Sequence, residues 1–118
     1  MFQILLISLL SLSVPAGATS IAHQKAPDFP STNGKVVLVH FGKPAAYLKK
    51  LDARYRPLGL TIVKVSEQDR PLHDAYGVAS EPAQFLIGPD RLIVYSHHGK
   101  PNTPALEQAI QQALDSLP

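Results

Sequence analysis

Val36, Val37, Leu38 and Val39 form an unbroken apolar run that continues through His40 to Phe41. A strand covered on both faces reads this way, because neither face needs to alternate with polar residues. The run predicts a strand over Lys35–Phe41. Beyond Gly42 the spacing changes. Leu48, Leu51, Tyr55 and Leu58 recur every three or four residues, which is one buried helix face. Lys49, Lys50, Asp52, Arg54 and Arg56 fall on the other side, a solvated face. The predicted helix runs from Pro44, tolerated where the first N–H has no partner, to Arg56, where Pro57 stops it. Leu60–Val65 predicts a second strand, and the strand–helix–strand succession implies a right-handed parallel crossover. Pro71 opens a short helix over Leu72–Tyr76, closed by Gly77 as a left-handed cap. Val78–Pro82 is a loop. Ala83–Ile87 predicts the third strand, Gly88–Arg91 a hairpin turn, and Leu92–Ser96 a fourth strand antiparallel to the third. Thr103 is the expected N-cap of a last helix with Pro104 in its first position. Leu106, Ile110, Ala113, Leu114 and Leu117 form its apolar stripe. The order is β-α-β-α-β-β-α: an α/β fold with a central four-stranded mixed sheet flanked by helices.

The segment ahead of this pattern has a different character. Phe2–Val14 is apolar apart from Gln3 and scattered serines, and Ala16-Gly17-Ala18 supplies the small residues that signal peptidase needs. The run is too short to span a bilayer, which takes about 20 residues. Residues 1–18 therefore read as a signal peptide, 19–33 as an extended N-terminal arm carrying Pro27 and Pro30, and 34–118 as the folded domain. No Lys or Arg precedes the apolar run, so a retained, membrane-skimming N-terminus is the competing reading. Cleavage implies a periplasmic or secreted protein with no membrane association afterwards.

Charge and cysteine content narrow the chemistry. All 11 Lys and Arg and all 9 Asp and Glu lie beyond Ala18, a net charge of +2. That is too small and too scattered to indicate a nucleic-acid partner. The 118 residues include no cysteine. An exported domain of this size then has no disulfide staple and relies on packing alone.

Several short strings share one resemblance. Ala26-Pro27-Asp28-Phe29, Gly34-Lys35-Val36-Val37-Leu38-Val39-His40-Phe41, Tyr76-Gly77-Val78 with Glu81-Pro82, and Phe85-Leu86-Ile87 through Leu92-Ile93-Val94 resemble, in order, the redoxin and peroxiredoxin-like branch of the thioredoxin-like superfamily. The resemblance implies a thioredoxin-like fold. Two departures stand out. Only Pro30–Asn33 separate the first two strings, where the family usually carries additional strands. Gly42-Lys43-Pro44-Ala45-Ala46 stands where the family has Trp-Cys-x-x-Cys. Without a thiolate there is no mixed disulfide and no peroxide reduction, so the family's activity does not carry over.

What the resemblance does imply is a binding surface. In the family, the residue before a cis-proline offers main-chain groups to an extended peptide beside a helix N-terminus. Carried over, Lys43, Pro44, Ala45 and Ala46 face Ser80, Glu81, Pro82 and Gly99 across a peptide-binding groove. Glu81 is expected to favour a basic segment of a periplasmic protein or peptide partner, and to lie near the helix N-terminus. No catalytic residue and no cofactor are expected, since neither Lys43 nor Ser80 has a second group to complete a mechanism. Two alternatives stand beside this reading. One is an accessory to a cysteine-bearing thiol–disulfide oxidoreductase. The other is a metal-binding module using His97 or His98, although adjacent residues on a strand point to opposite faces.

Overall fold

The computed structural model describes residues 24–27, 34–43 and 45–117. The expected signal peptide and most of the arm lie outside them. Four strands, β1 (Val36–Phe41), β2 (Leu60–Val65), β3 (Ala83–Ile87) and β4 (Ile93–His98), form one sheet in the order β2-β1-β3-β4. β1 runs parallel to β2 and antiparallel to β3, and β4 runs antiparallel to β3. The helices are α1 (Ala46–Tyr55), α2 (Arg70–Tyr76) and α3 (Thr103–Asp115). This is the mixed α/β arrangement that the hydrophobic pattern predicts.

The two inner strands are buried along their whole length, which is why neither alternates in sequence. Successive side chains enter different cores. Val37, Val39, Phe41, Phe85 and Ile87 pack with Leu72 and Tyr76 of α2. Val36, Leu38, Leu60 and Leu86 pack with Leu48, Leu51 and Tyr55 of α1 and with Leu106, Ile110 and Ala113 of α3. One helix covers one face of the sheet and two cover the other.

Several element ends differ from the sequence reading: α1 starts at Ala46 rather than Pro44, β1 and β4 start one residue later, and four further ends have a local reason. α1 gives way to a 3-10 turn over Arg56–Leu58, so Pro57 tightens the chain rather than ending it abruptly. α2 starts at Arg70, because the Asp69 carboxylate accepts the Leu72 N–H at 3.2 Å and caps the first turn. α3 is capped by Asn102, whose side chain accepts the Ala105 N–H at 3.2 Å. Thr103 thus becomes the first helical residue. β4 extends through His98, since His97 and His98 still pair with Gln84 and Ala83.

The short segment Gln24–Ala26 lies along the start of β4. Its Gln24 carbonyl accepts the Ile93 N–H and its Ala26 N–H donates to Arg91, both at 2.8 Å. Ala26 is buried in the core on the α2 face.

Truncating the centre of this sandwich should be costly. Phe85 is fully buried against Phe41 and Tyr76, so Phe85→Ala is expected to lose about 3–5 kcal/mol in urea unfolding. Leu58 is 60% exposed, and Leu58→Ala should change stability by no more than about 0.5 kcal/mol.

Candidate functional site

The ends of β1 and β3 meet at one corner of the sheet. β1 stops at Phe41, and Gly42 turns the chain with φ of 125°. A Cβ on Gly42 would meet Pro82 Cα and Cβ at 3.3 Å each. Glycine is therefore required twice, by the backbone angle and by the close approach to Pro82. The Glu81–Pro82 peptide bond is cis. The Pro82 carbonyl accepts the Gly99 N–H at 2.8 Å, and the Gln84 amide donates to the Gly99 carbonyl at 3.3 Å. Gly99 is thereby held to the loop from both sides.

A polar row underlies the corner. Lys64, His40, Gln84 and His97 sit in register across all four strands, one step beyond the apolar row Ile62, Leu38, Leu86 and Tyr95. His40 and Gln84 are each 1% exposed, so they need internal partners. His40 Nε2–H donates to the Lys43 carbonyl at 3.0 Å, which leaves Nδ1 to accept from the Tyr47 hydroxyl at 3.0 Å. These bonds tie the β1–α1 loop and the first turn of α1 to the central strand. Burial, with the nearby Tyr95, pushes the Tyr47 hydroxyl up to about 12, so it remains a neutral donor. Gln84 Oε1 and the Tyr76 hydroxyl are buried without a hydrogen-bond partner among the described residues.

Above the row lies an open pocket of about 300 Å³. Lys43, Ala45, Glu81 and Pro82 of the expected groove line it. Gly42, His40, Tyr47, Glu67 and Pro101 complete it, the last four with no binding role expected from sequence. Ala46 instead faces a neighbouring depression along α1 and β2, and Ser80 and Gly99 flank the pocket without lining it. Pro44 lies outside the described residues. α1 begins at this pocket with Ala45 as N-cap, a residue with no side chain to accept the first N–H groups. A larger depression of about 440 Å³ lies between the Gly88–Asp90 turn and α3. Asp90 there accepts from the Leu92 N–H and Ser116 donates to the Ala113 carbonyl, so these two polar side chains are already engaged.

Glu81 departs from its expected role. Its carboxylate is not aimed at α1 but accepts a hydrogen bond from His73 Nε2 at 2.6 Å. The other ring nitrogen, Nδ1, lies 2.7 Å from the Asp69 carbonyl. A neutral imidazole has one N–H, whereas this ring faces two acceptors, so the arrangement suits the doubly protonated cation. The Asp69 carbonyl first, and then Glu81, raise the His73 pKa above its ordinary value, against the opposing effect of burial. Sequence places His73 on the short helix but assigns it no site role, because a histidine there gives no spacing signal of its own.

His97 and His98 do not form a site together. His97 Nε2 donates to the Lys100 carbonyl at 2.7 Å, and the His98 ring stands at 90° to Phe85 on the other face. Among the described residues, no three His, Cys, Asp or Glu side chains converge as a metal-binding set.

Two outcomes follow from these contacts. Gly42→Ala should cost about 1–3 kcal/mol, measured as a lower urea midpoint, because of its positive φ and the crowded Pro82. The His73 contribution to stability should be complete below its unfolded pKa near 6.5 and lost as pH rises through its elevated native pKa. The stability difference between wild type and His73→Gln should accordingly shrink between about pH 6 and about pH 9. A difference that stays constant with pH would mean that the native pKa of the ring is not raised above the unfolded one.

No family model matches the sequence, and no curated protein is similar to it at the sequence level. Solved structures are similar to it in fold. A Chlorobium tepidum protein assigned as the thiol:disulfide interchange protein DsbE superposes with a TM-score of 0.56 at 21% identity, over 70% of this chain and 82% of that one. MTB DsbF, in mixed oxidized and reduced forms, gives 0.59 at 13% identity, over 69% and 82%. Mycobacterium tuberculosis AhpC gives 0.58 at 15% identity, over 75% and 74%. The chain thus carries a thioredoxin-like fold, of the kind seen in thiol–disulfide interchange proteins and redoxins, with no cysteine in its sequence.

Proposed function

We propose that this chain is a non-catalytic binding protein, exported to a periplasmic or secreted space, that holds an extended segment of a partner in the corner between Gly42–Ala46 and Ser80–Pro82. One observation carries the reading. Among the described residues, the main chain of Ser80 and Glu81 makes no hydrogen bond. These groups flank the pocket at the start of α1, where Ala45 leaves the helix without a side-chain cap. Unpaired main-chain donors and acceptors beside an apolar wall of Ala45, Pro82 and Pro101 suit strand-like pairing with a peptide. The corner offers no thiolate, and disulfide exchange requires one. Export rests on the apolar run at Phe2–Val14 and the small residues that follow it.

The test is selection of extended peptides from a displayed random library against the purified chain. Selected peptides should slow amide exchange at Gly42, Ser80 and Glu81. Ala45 is exposed, so Ala45→Arg should keep the melting temperature while weakening those peptides about tenfold or more. The same preparation should leave the disulfides of insulin unreduced by dithiothreitol beyond the uncatalysed rate. Peptide binding indifferent to Ala45→Arg would move the binding site elsewhere on the molecule.

A further inference from the structure

We infer that His73 is the positioning residue of the Ser80–Pro82 edge: its imidazolium, clamped between the Asp69 carbonyl and the Glu81 carboxylate, holds that edge in its binding geometry and releases it on deprotonation. The consequence for peptide binding rests on the groove proposed above. The positioning itself does not.

The clamp is short and enclosed. The His73 side chain is 2% exposed, with Nδ1 at 2.7 Å from the Asp69 oxygen and Nε2 at 2.6 Å from Glu81 Oε2. The ring also packs edge-on against Phe41, with centroids 4.9 Å apart. Phe41 is the last residue of β1, directly before Gly42, and Gly42 contacts Pro82. One buried ring therefore touches both walls of the corner, through Phe41 on one side and through Glu81 on the other. Glu81 lines the pocket while Phe41 and His73 do not, so His73 acts on the lining from behind it.

Few other charges face this ring. Glu81 supplies the opposite charge from the loop. Arg70, on the same helix, opposes protonation. The Asp69 carboxylate is engaged with the Leu72 N–H, and its carbonyl is what the ring contacts. Tyr76 lies on the same helix with its hydroxyl pushed up to about 12 by burial, and β1 presents only the uncharged Phe41. When the ring loses a proton, one of its nitrogens turns a lone pair toward an acceptor that was at hydrogen-bond distance. The Asp69 carbonyl is fixed in the helix cap, whereas the Glu81 side chain is 24% exposed and has a route to water. Glu81 is thus the partner that leaves, and the backbone of Ser80–Pro82 loses its anchor to α2. A preordered edge binds an extended segment at lower entropic cost than a loose one.

The experiment is a titration of the full chain by heteronuclear NMR from about pH 5.5 to about pH 9, across the range where histidine changes charge. The His73 ring signal should titrate with a midpoint above 6.5. The Gly42, Ser80 and Glu81 amides should shift with that same midpoint. Glu81→Gln should lower the His73 midpoint. His73→Gln, whose amide donates at any pH, should remove the common transition from the edge amides. If that variant fails to fold, the wild-type titration and Glu81→Gln decide the matter. Edge amides that ignore the His73 midpoint would overturn the inference. A fluorescein-labelled peptide taken from the displayed library should then bind about tenfold more weakly at about pH 9 than at about pH 6. Level affinity across that range, with the edge co-titrating, would also overturn it. A library without any binder, with the edge still co-titrating, would sink the groove and support the positioning by His73.

Discussion

Burial of the two inner strands on both faces is the constraint from which the rest of the molecule follows. β1 and β3 are covered along their whole length, in a small chain with no disulfide to help. Any polar residue in them must be satisfied inside the protein. His40 and Gln84 are those residues, and their hydrogen bonds run outward to Lys43, Tyr47 and Gly99. The corner is therefore built by the needs of the sheet. Its loops are ordered because two buried side chains bond to their main chain.

The same logic explains what could be read in advance. Continuous apolar runs at Val36–Phe41 and Ala83–Ile87 have one physical meaning, so both inner strands and their neighbours were legible. Helix ends were less so. Asp69 and Asn102 compete with nearby residues for the role of cap, and only the folded backbone decides which oxygen reaches an N–H. The candidate site was half legible. Its loops follow from the order of elements, which places Lys43 and Ala45 opposite Glu81 and Pro82. Its chemistry depends on pairs far apart in sequence with no periodicity between them. Sequence assigned Glu81 to a basic partner, because nothing in the spacing of His73 and Glu81 indicates that one buries against the other.

That pairing changes what the corner is. Solved structures of similar fold include a thiol:disulfide interchange protein. This chain has an uncapped helix start with alanine at its N-cap and, behind the opposite loop, a charged pair formed by α2 and the loop itself. The charged pair of this corner lies behind it, between α2 and the loop, and not at the start of α1.

The segment Gln24–Ala26 has a consequence for how copies of the chain meet. Each outer strand of a sheet exposes main-chain groups that can pair with another molecule. Gln24–Ala26 occupies those groups beside Arg91–Ile93, at the start of β4. β2, the other outer strand, carries Lys64 with its side chain in solvent, a residue that discourages edge-to-edge pairing. One edge is thus masked at its start by Gln24–Ala26 and the other carries a charge. Proteolysis just after Ala26 would uncover the Ile93 N–H, a main-chain donor that a strand of another molecule could then take up.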